Sequence, residues 1–166
     1  MSRVAEAGVE DSPYAWYRLG LALVLGTIGG VGMWSAVVVL PEIQREFGLD
    51  RAGASVPFTL VTIGFALGGV LMGRLADRFG VAVPVAIGGA CLGIGYVIAG
   101  MAPNIWVFSA AHAIPIGLLG SSAVFGPLMA DSSRWFIRNR AIAVAISAAG
   151  SYLAAAIWPP VVQAMI

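Results

Sequence analysis

The stretch GRLADRFG, Gly73 to Gly80, separates two long uncharged segments of the chain. It holds Arg74, Asp77 and Arg78 within five residues, while the 22 residues ending at Gly73 and the 52 beginning at Phe79 carry no formal charge. A charged residue at the centre of a membrane helix costs about 2.5–3.5 kcal/mol on insertion scales. We therefore expect this stretch to form a tight turn at a membrane edge.

Composition supports a membrane protein. Of the 166 residues, 60% are hydrophobic and 10% are charged, whereas an ordinary globular domain is about 25% charged. A helix needs about 20 apolar residues to cross a bilayer, and the 52-residue run exceeds that length, so it is expected to break at Ala102-Pro103-Asn104. The sequence predicts an all-α integral membrane protein with a tail at residues 1–17 and a transmembrane bundle at 18–166. The five predicted spans are about 18–40, 55–75, 81–101, 105–130 and 141–163.

Arginine placement predicts the orientation in the membrane. Seven of the nine arginines fall on the side of the N-terminal tail if the spans alternate, and cytoplasmic segments are enriched in basic residues. The N-terminus is therefore expected to be cytoplasmic. All nine basic residues are arginine, which suggests a GC-rich bacterial genome and hence the inner (plasma) membrane. Interfacial aromatic anchors are predicted before span one and before span five: Tyr14, Trp16, Tyr17, Trp135 and Phe136.

The glycine-bracketed stretch resembles the signature loop between spans two and three of the major facilitator superfamily of secondary transporters. The residues that match are Gly73, Arg74, Asp77, Arg78 and Gly80. The resemblance implies twelve spans in two six-helix halves and transport by alternating access. It also implies that this chain is the N-terminal part, truncated in span five, with a missing C-terminal half. One departure is the apolar Val81-Ala82-Val83, where the family usually has basic residues.

A second stretch is similar to the entry to span five in monocarboxylate-porter-like members, including oxalate/formate-type relatives. The matching residues are Arg134, Trp135, Phe136, Arg138, Arg140 and Gly150. This resemblance implies a small organic anion as substrate, such as a monocarboxylate, with proton coupling or exchange. Because the chain contains no lysine, a proton mechanism that depends on lysine cannot be carried over.

The charged residues of the first motif predict a gating contact. Arg74, Asp77 and Arg78 lie at i, i+3 and i+4, so a helical turn would bring both arginines close to one face. Asp131 is the other acid expected at this edge. We predict an Arg78–Asp131 contact, with Asp77 facing the missing half. Its contribution should be about 1 kcal/mol if it is largely exposed.

His112 is the one histidine of the chain and lies well inside a predicted span that holds no Asp, Glu, Lys or Arg. Intramembrane ionisable groups are functional candidates, and an imidazole can carry a proton near neutral pH. The alternative is a neutral histidine that bonds a neighbouring helix. Weaker candidates for the same substrate or proton cavity, each with packing as its alternative, are Trp34, Asn104, Ser121, Ser122 and Tyr152.

Other classes of function find less support. Ser121 or Ser122 with His112 does not make a serine protease, because nine or ten residues along one helix separate the groups by about 14 Å. No motif for a metal or cofactor is found, and the charge gives no indication of nucleic-acid binding. The expected partners are the lipid bilayer, the substrate anion, protons and the missing half. A small membrane scaffold or an oligomeric half-size transporter is the alternative. Pro159-Pro160 is expected to bend span five or to end it.

Overall fold

The computed structural model describes residues 12–165. Within them, five helical segments are long and apolar enough to cross a membrane, which confirms the predicted all-α, five-span protein. We number them as spans one to five: Pro13–Val38, Arg51–Phe79, Ala82–Gly100, Ile105–Trp135 and Arg140–Gln163. The part of the predicted tail at residues 1–11, with Arg3, lies outside the described residues.

Three of the spans comprise more than one helical segment. Span one comprises α1 and α2, the connection to span two contains α3, and span two comprises α4 and α5. Spans three and five are the single helices α6 and α9. Span four comprises α7, a π-helical segment and α8. The bounds are α1 Pro13–Gly29, α2 Val31–Val38, α3 Leu40–Phe47, α4 Arg51–Ala54, α5 Val56–Phe79, α6 Ala82–Gly100, α7 Ile105–Ala111, π His112–Ser121, α8 Ser122–Trp135 and α9 Arg140–Gln163.

Local sequence explains where the spans begin. The Ser12 hydroxyl accepts a hydrogen bond from the Ala15 amide at 3.3 Å, and Pro13 follows in the first helical turn, where its missing N–H costs nothing. Span one thus begins before the expected position 18, which places Arg18 inside the helix. Asn104 caps α7 by accepting from the amides of Trp106 and Val107 at 3.1 and 3.0 Å. The predicted break between spans three and four is therefore confirmed.

The motif is more helical than expected. Helix α5 continues to Phe79, so Arg74, Asp77 and Arg78 lie on its last turns rather than in a loop. The chain turns only at Gly80, whose φ of 83° lies in the region that side chains disfavour. The glycine at this position therefore permits the abrupt reversal into span three.

Span four is the centre of the bundle. Half of its most apolar 18-residue stretch is buried, against 22–33% of the corresponding stretch in the other spans. Span four also packs against all four of the others. At two positions of span two, a glycine lies where the backbones of spans two and four meet. A Cβ on Gly64 or Gly68 would collide with the carbonyl oxygens of Ala113 and Leu118 in the π segment. Small residues permit such close approach of helix backbones in lipid.

Span five has the expected bounds, and of the two alternatives for its proline pair the structure excludes one. Helix α9 continues through Pro159 and Pro160 to Gln163, so the proline pair does not end the span. The Trp158 indole N–H donates to the carbonyl of Thr27 at 2.7 Å and ties this part of the helix to span one. Neighbouring helices make prolines tolerable in membrane helices.

Candidate functional site

Helix α5, which carries most of the Gly73–Gly80 motif, meets span four through an exposed ion pair. An Arg134 guanidinium nitrogen donates to the Asp77 carboxylate at 2.8 Å. Both side chains are about two-thirds exposed, at 66% and 68%. The pair joins the first motif to the span-five entry motif, which the sequence had shown only as two separate stretches.

A second ion pair at the same end is more enclosed. Arg18 in span one donates to Asp131 in span four at 2.7 Å, with exposed fractions of 28% and 23%. The Arg18 guanidinium carbon lies 4.6 Å from the centre of the Trp135 ring and 5.9 Å from that of Tyr14. These distances suit cation–π attraction. Span four is thus held to span one by charge and aromatic contacts together.

The predicted Arg78–Asp131 contact is wrong for this conformation. Asp131 pairs with Arg18 instead, and Asp77, which is 68% exposed, bonds Arg134. The Arg78 guanidinium lies over the Phe79 ring at 5.2 Å. Sequence reasoning missed Arg18 because it was counted as a tail charge. The spacing of Tyr14 and Arg18, four residues apart, was the available sign of a helical pair.

The other residues of the span-five entry motif differ from one another in burial. Phe136 is 1% exposed and packs against Ala15, Leu19 and Ala143. The expectation that it forms an interfacial anchor is therefore wrong, since it belongs to the protein core. Gly150 lies where span five crosses span one, with its would-be Cβ 2.8 Å from the carbonyl oxygen of Leu23. Arg138 and Arg140 have exposed side chains.

Three of the cavity candidates line one recess between spans one, two, four and five. Its volume is 180 Å³. The Trp34 indole N–H donates to the carbonyl of Ser151 at 3.1 Å, which fixes one wall. Ser121 is 3% exposed, and its hydroxyl has no hydrogen-bond partner among the described residues. We call this the aromatic recess; it is lined by Gly26, Gly30, Met33, Trp34, Phe65, Ser121, Val124, Phe125, Ser151 and Tyr152.

His112 lies apart from that recess. It is 2% exposed, its Nδ1 is 3.0 Å from the carbonyl oxygen of Phe108, and the two rings are 4.3 Å apart. The ring borders a different cavity of 680 Å³, which Glu42 and Glu46 also line. The hydroxyls of Ser35 and Tyr96, on the same cavity, are 2.7 Å apart. The structure therefore does not bring His112 together with Trp34, Ser121 and Tyr152.

The two remaining candidates line neither cavity. The Asn104 side chain is the α7 cap already described. The Ser122 hydroxyl donates to the Leu118 carbonyl at 2.5 Å, within span four. Both side chains have local partners that account for them. Across residues 12–165, no cluster of three or more His, Cys, Asp or Glu side chains is arranged to hold a metal ion.

Comparison with known proteins agrees with this architecture. The chain matches the Major Facilitator Superfamily over residues 22–166. It is 28% identical over 91% of its length to the oxalate:formate antiporter of Oxalobacter formigenes, of which it covers 36%. It is 27% identical over 90% of its length to human monocarboxylate transporter 6, of which it covers 29%.

A third relative is the 4-hydroxybenzoate transporter PcaK of Pseudomonas aeruginosa, 29% identical over 42% of the chain and 15% of that protein. The chain thus spans about a third or less of the length of these relatives. Their names agree with the expectation of a transporter and not an enzyme. Because the family match extends over most of the chain, the protein belongs to the Major Facilitator Superfamily.

Proposed function

We propose that the protein is part of a secondary active transporter that moves a small organic anion, such as a monocarboxylate, by alternating access. The observation that carries the proposal is the family match over residues 22–166, on a bundle of five membrane-length helices. The carboxylate preference is supported by relatives named for oxalate and formate and for monocarboxylates.

Alternating access is supported by the ion pairs at the end of the bundle that carries Gly73–Gly80, which we call the motif end. The Asp77–Arg134 pair is exposed, so water can replace it at little cost. We propose that this pair stabilises the conformation closed at the motif end. Opening there separates span two from span four and breaks the pair. The motif end is proposed to face the cytoplasm of a bacterial inner membrane, on the arginine distribution.

The second wall of the transport path is proposed to come from a C-terminal half outside these 166 residues. Substrate sites in such folds lie near the midplane, between repeats. The aromatic recess faces spans one, two, four and five and is proposed as this half's contribution to that site. No charged side chain lines the recess, so the group that meets the substrate carboxylate is proposed to lie elsewhere.

Coupling is proposed to use either a proton gradient or exchange of one anion for another. His112 is the proposed proton carrier in the first case, because it is a buried imidazole bordering a cavity. It does not touch the aromatic recess. A proton on His112 would therefore act on substrate binding through the packing of span four rather than by contact.

Uptake into proteoliposomes tests the proposal. The full-length protein encoded by the gene is reconstituted, and labelled formate, acetate, oxalate or benzoate is offered with an inward proton gradient or against an internal anion. Uptake above that of protein-free liposomes is expected under one of these two drives. If neither drive moves any of these anions, the function is wrong.

Two variants and one truncation refine the same assay. Under proton coupling, His112→Gln should alter the pH profile of uptake between about pH 5 and 8, whereas Ser109→Ala in the neighbouring turn should leave it unchanged. Under exchange, neither variant should alter it. The 166-residue segment alone should not transport. Transport by that segment would instead support the oligomeric half-size transporter.

A further inference from the structure

We infer that the aromatic recess is a subsite for a ring-sized apolar body, so that the preferred substrate is a ring-bearing carboxylate rather than a one- or two-carbon acid. This inference rests on the proposed transport of organic anions. It concerns which anions fit, and not whether anions are moved.

The size of the recess matches a six-membered ring. Its volume is 180 Å³, while an engineered protein cavity of about 150 Å³ holds a benzene molecule. Formate, acetate and oxalate fill a small part of such a space. A small acid would leave much of the apolar wall in contact with water, and so would gain little from the recess.

The lining favours a flat apolar group. Four aromatic side chains line it: Trp34, Phe65, Phe125 and Tyr152. Phe65 and Phe125 are 5.7 Å apart between ring centres and tilted by 56°, a separation suited to aromatic contact. The lining contains no Asp, Glu, Lys, Arg or His. A carboxylate buried here would be unpaired and costly, so the ring enters the recess and the carboxylate stays at its mouth.

Ser121 adds a polar point to this apolar wall. Its hydroxyl is buried, has no partner among the described residues, and lies beside the Cα of Gly32. An unsatisfied buried hydroxyl is unfavourable unless something bonds to it. Rotation about one side-chain bond can turn the hydroxyl toward the recess that Ser121 lines. A hydroxyl group on the substrate ring, remote from the carboxylate, is the group that this serine would bind.

Trp34 acts as a positioning residue for the wall. Its N–H is already bonded to the Ser151 carbonyl, so the indole is held and offers its apolar surface to the recess. A wall that is ordered before binding loses less freedom when a ligand arrives. Trp106 provides a matched control, because its ring is 74% exposed and does not line the recess.

Competition for uptake by the full-length protein tests the inference. Benzoate and cyclohexanecarboxylate should inhibit uptake of the labelled anion at concentrations at least about tenfold lower than acetate or oxalate. Trp34→Ala should remove most of this preference, and Trp106→Ala should leave it intact. Equal inhibition by acetate, oxalate and benzoate, with transport itself intact, would overturn the inference and leave the proposed function standing.

The role of Ser121 is tested by the ratio of the affinities for a hydroxybenzoate isomer and for benzoate, because a folding defect would lower both affinities together. In the parent protein a hydroxybenzoate isomer should bind more tightly than benzoate. Ser121→Ala should reduce that advantage by about fivefold while benzoate itself binds as before. Ser109→Ala removes another buried hydroxyl that has no partner within residues 12–165, outside the recess, and should change nothing. If no hydroxybenzoate isomer differs from benzoate, or if Ser109→Ala has the same effect, the role of Ser121 is refuted.

A binding measurement separates failure of the inference from failure of the function. Benzyl alcohol carries a ring and a hydroxyl but no carboxylate, and its binding to the full-length protein in nanodiscs can be followed by ligand-observed NMR. Binding that Trp34→Ala weakens would support the recess even if no anion is transported. Binding that Trp34→Ala and Trp106→Ala affect equally would count against it.

Discussion

Two ion pairs at the motif end use the same chemistry in different surroundings. Arg18–Asp131 joins span four to span one with about a quarter of each side chain exposed, and two aromatic rings flank the guanidinium. Arg134–Asp77 joins span four to span two with two-thirds of each side chain exposed. The N–O distances differ by only 0.1 Å, being 2.7 and 2.8 Å. Distance therefore does not distinguish them, and burial does.

The difference suggests separate roles for charges three residues apart on one helix. Breaking a buried pair leaves a charge without a partner in poorly solvated surroundings, whereas water replaces the partner of an exposed charge. Asp131 is thus suited to holding spans one and four together permanently. Arg134 is suited to a contact that forms and breaks during the proposed transport cycle.

The largest effect is expected from breaking the enclosed pair. Arg18→Gln or Asp131→Asn should each lower the free energy of unfolding by about 2 kcal/mol, less than the 3–5 expected for a fully buried pair. Thermal unfolding of the detergent-solubilised protein measures it. Arg18→Met with Asp131→Leu should recover much of the loss, because no charge is left alone. If the double variant is as unstable as the sum of the two single variants, the contrast in burial does not explain the energetics.

A smaller effect is expected from removing the aromatic ring over Arg18. Trp135→Leu should destabilise the protein by about 1 kcal/mol through lost cation–π contact. Trp106→Leu, at an exposed ring, is the control in the same unfolding assay and should have little effect. In an Arg18→Gln background the loss caused by Trp135→Leu should shrink, since the cation is gone. An undiminished loss would assign Trp135 to packing alone.

The smallest effect on stability is expected from the exposed pair. Asp77→Asn or Arg134→Gln should change the free energy of unfolding by less than about 1 kcal/mol, and the change should fade in high salt. Arg78→Gln is the control, because Arg78 belongs to neither pair. Exchanging the two charges, Asp77→Arg with Arg134→Asp, should restore transport that either single reversal impairs. Absence of restoration would remove this pair from the gating mechanism.

Much of the fold was readable because bilayer thickness constrains it directly. Uncharged runs located the spans, and Pro103 with Asn104 located the break in the longest run. The contacts of residues that meet neighbours distant in sequence could not be predicted in this way. Arg18 and Asp131 are separated by 113 positions, and Phe136 looks like an interfacial aromatic until the cluster around it is seen. The π-helical segment has no simple sequence sign, although Pro115 lies within it.

The candidate site could be predicted only in part, because its residues come from different spans. Trp34, Ser121 and Tyr152 were named from their residue types as candidates for one cavity, and the structure places them on one recess. His112 was named on stronger grounds, as an ionisable group inside a span, yet it borders another cavity. Helical periodicity within one span cannot determine which neighbouring helix a side chain meets. That depends on the packing of all five spans.

The backbone contact at Gly64 and Gly68 is a pivot point at which span two can tilt against span four. These glycines lie close to the middle of the 24-residue helix α5, about 36 Å long at 1.5 Å per residue. With carbonyl oxygens of the π segment and the Ser122 hydroxyl against them, span two can tilt on span four there with no side chain of its own in the way. A tilt of about 10° would swing each end of the helix by about 3 Å, in opposite directions. One small rotation would thus open the motif end while narrowing the other.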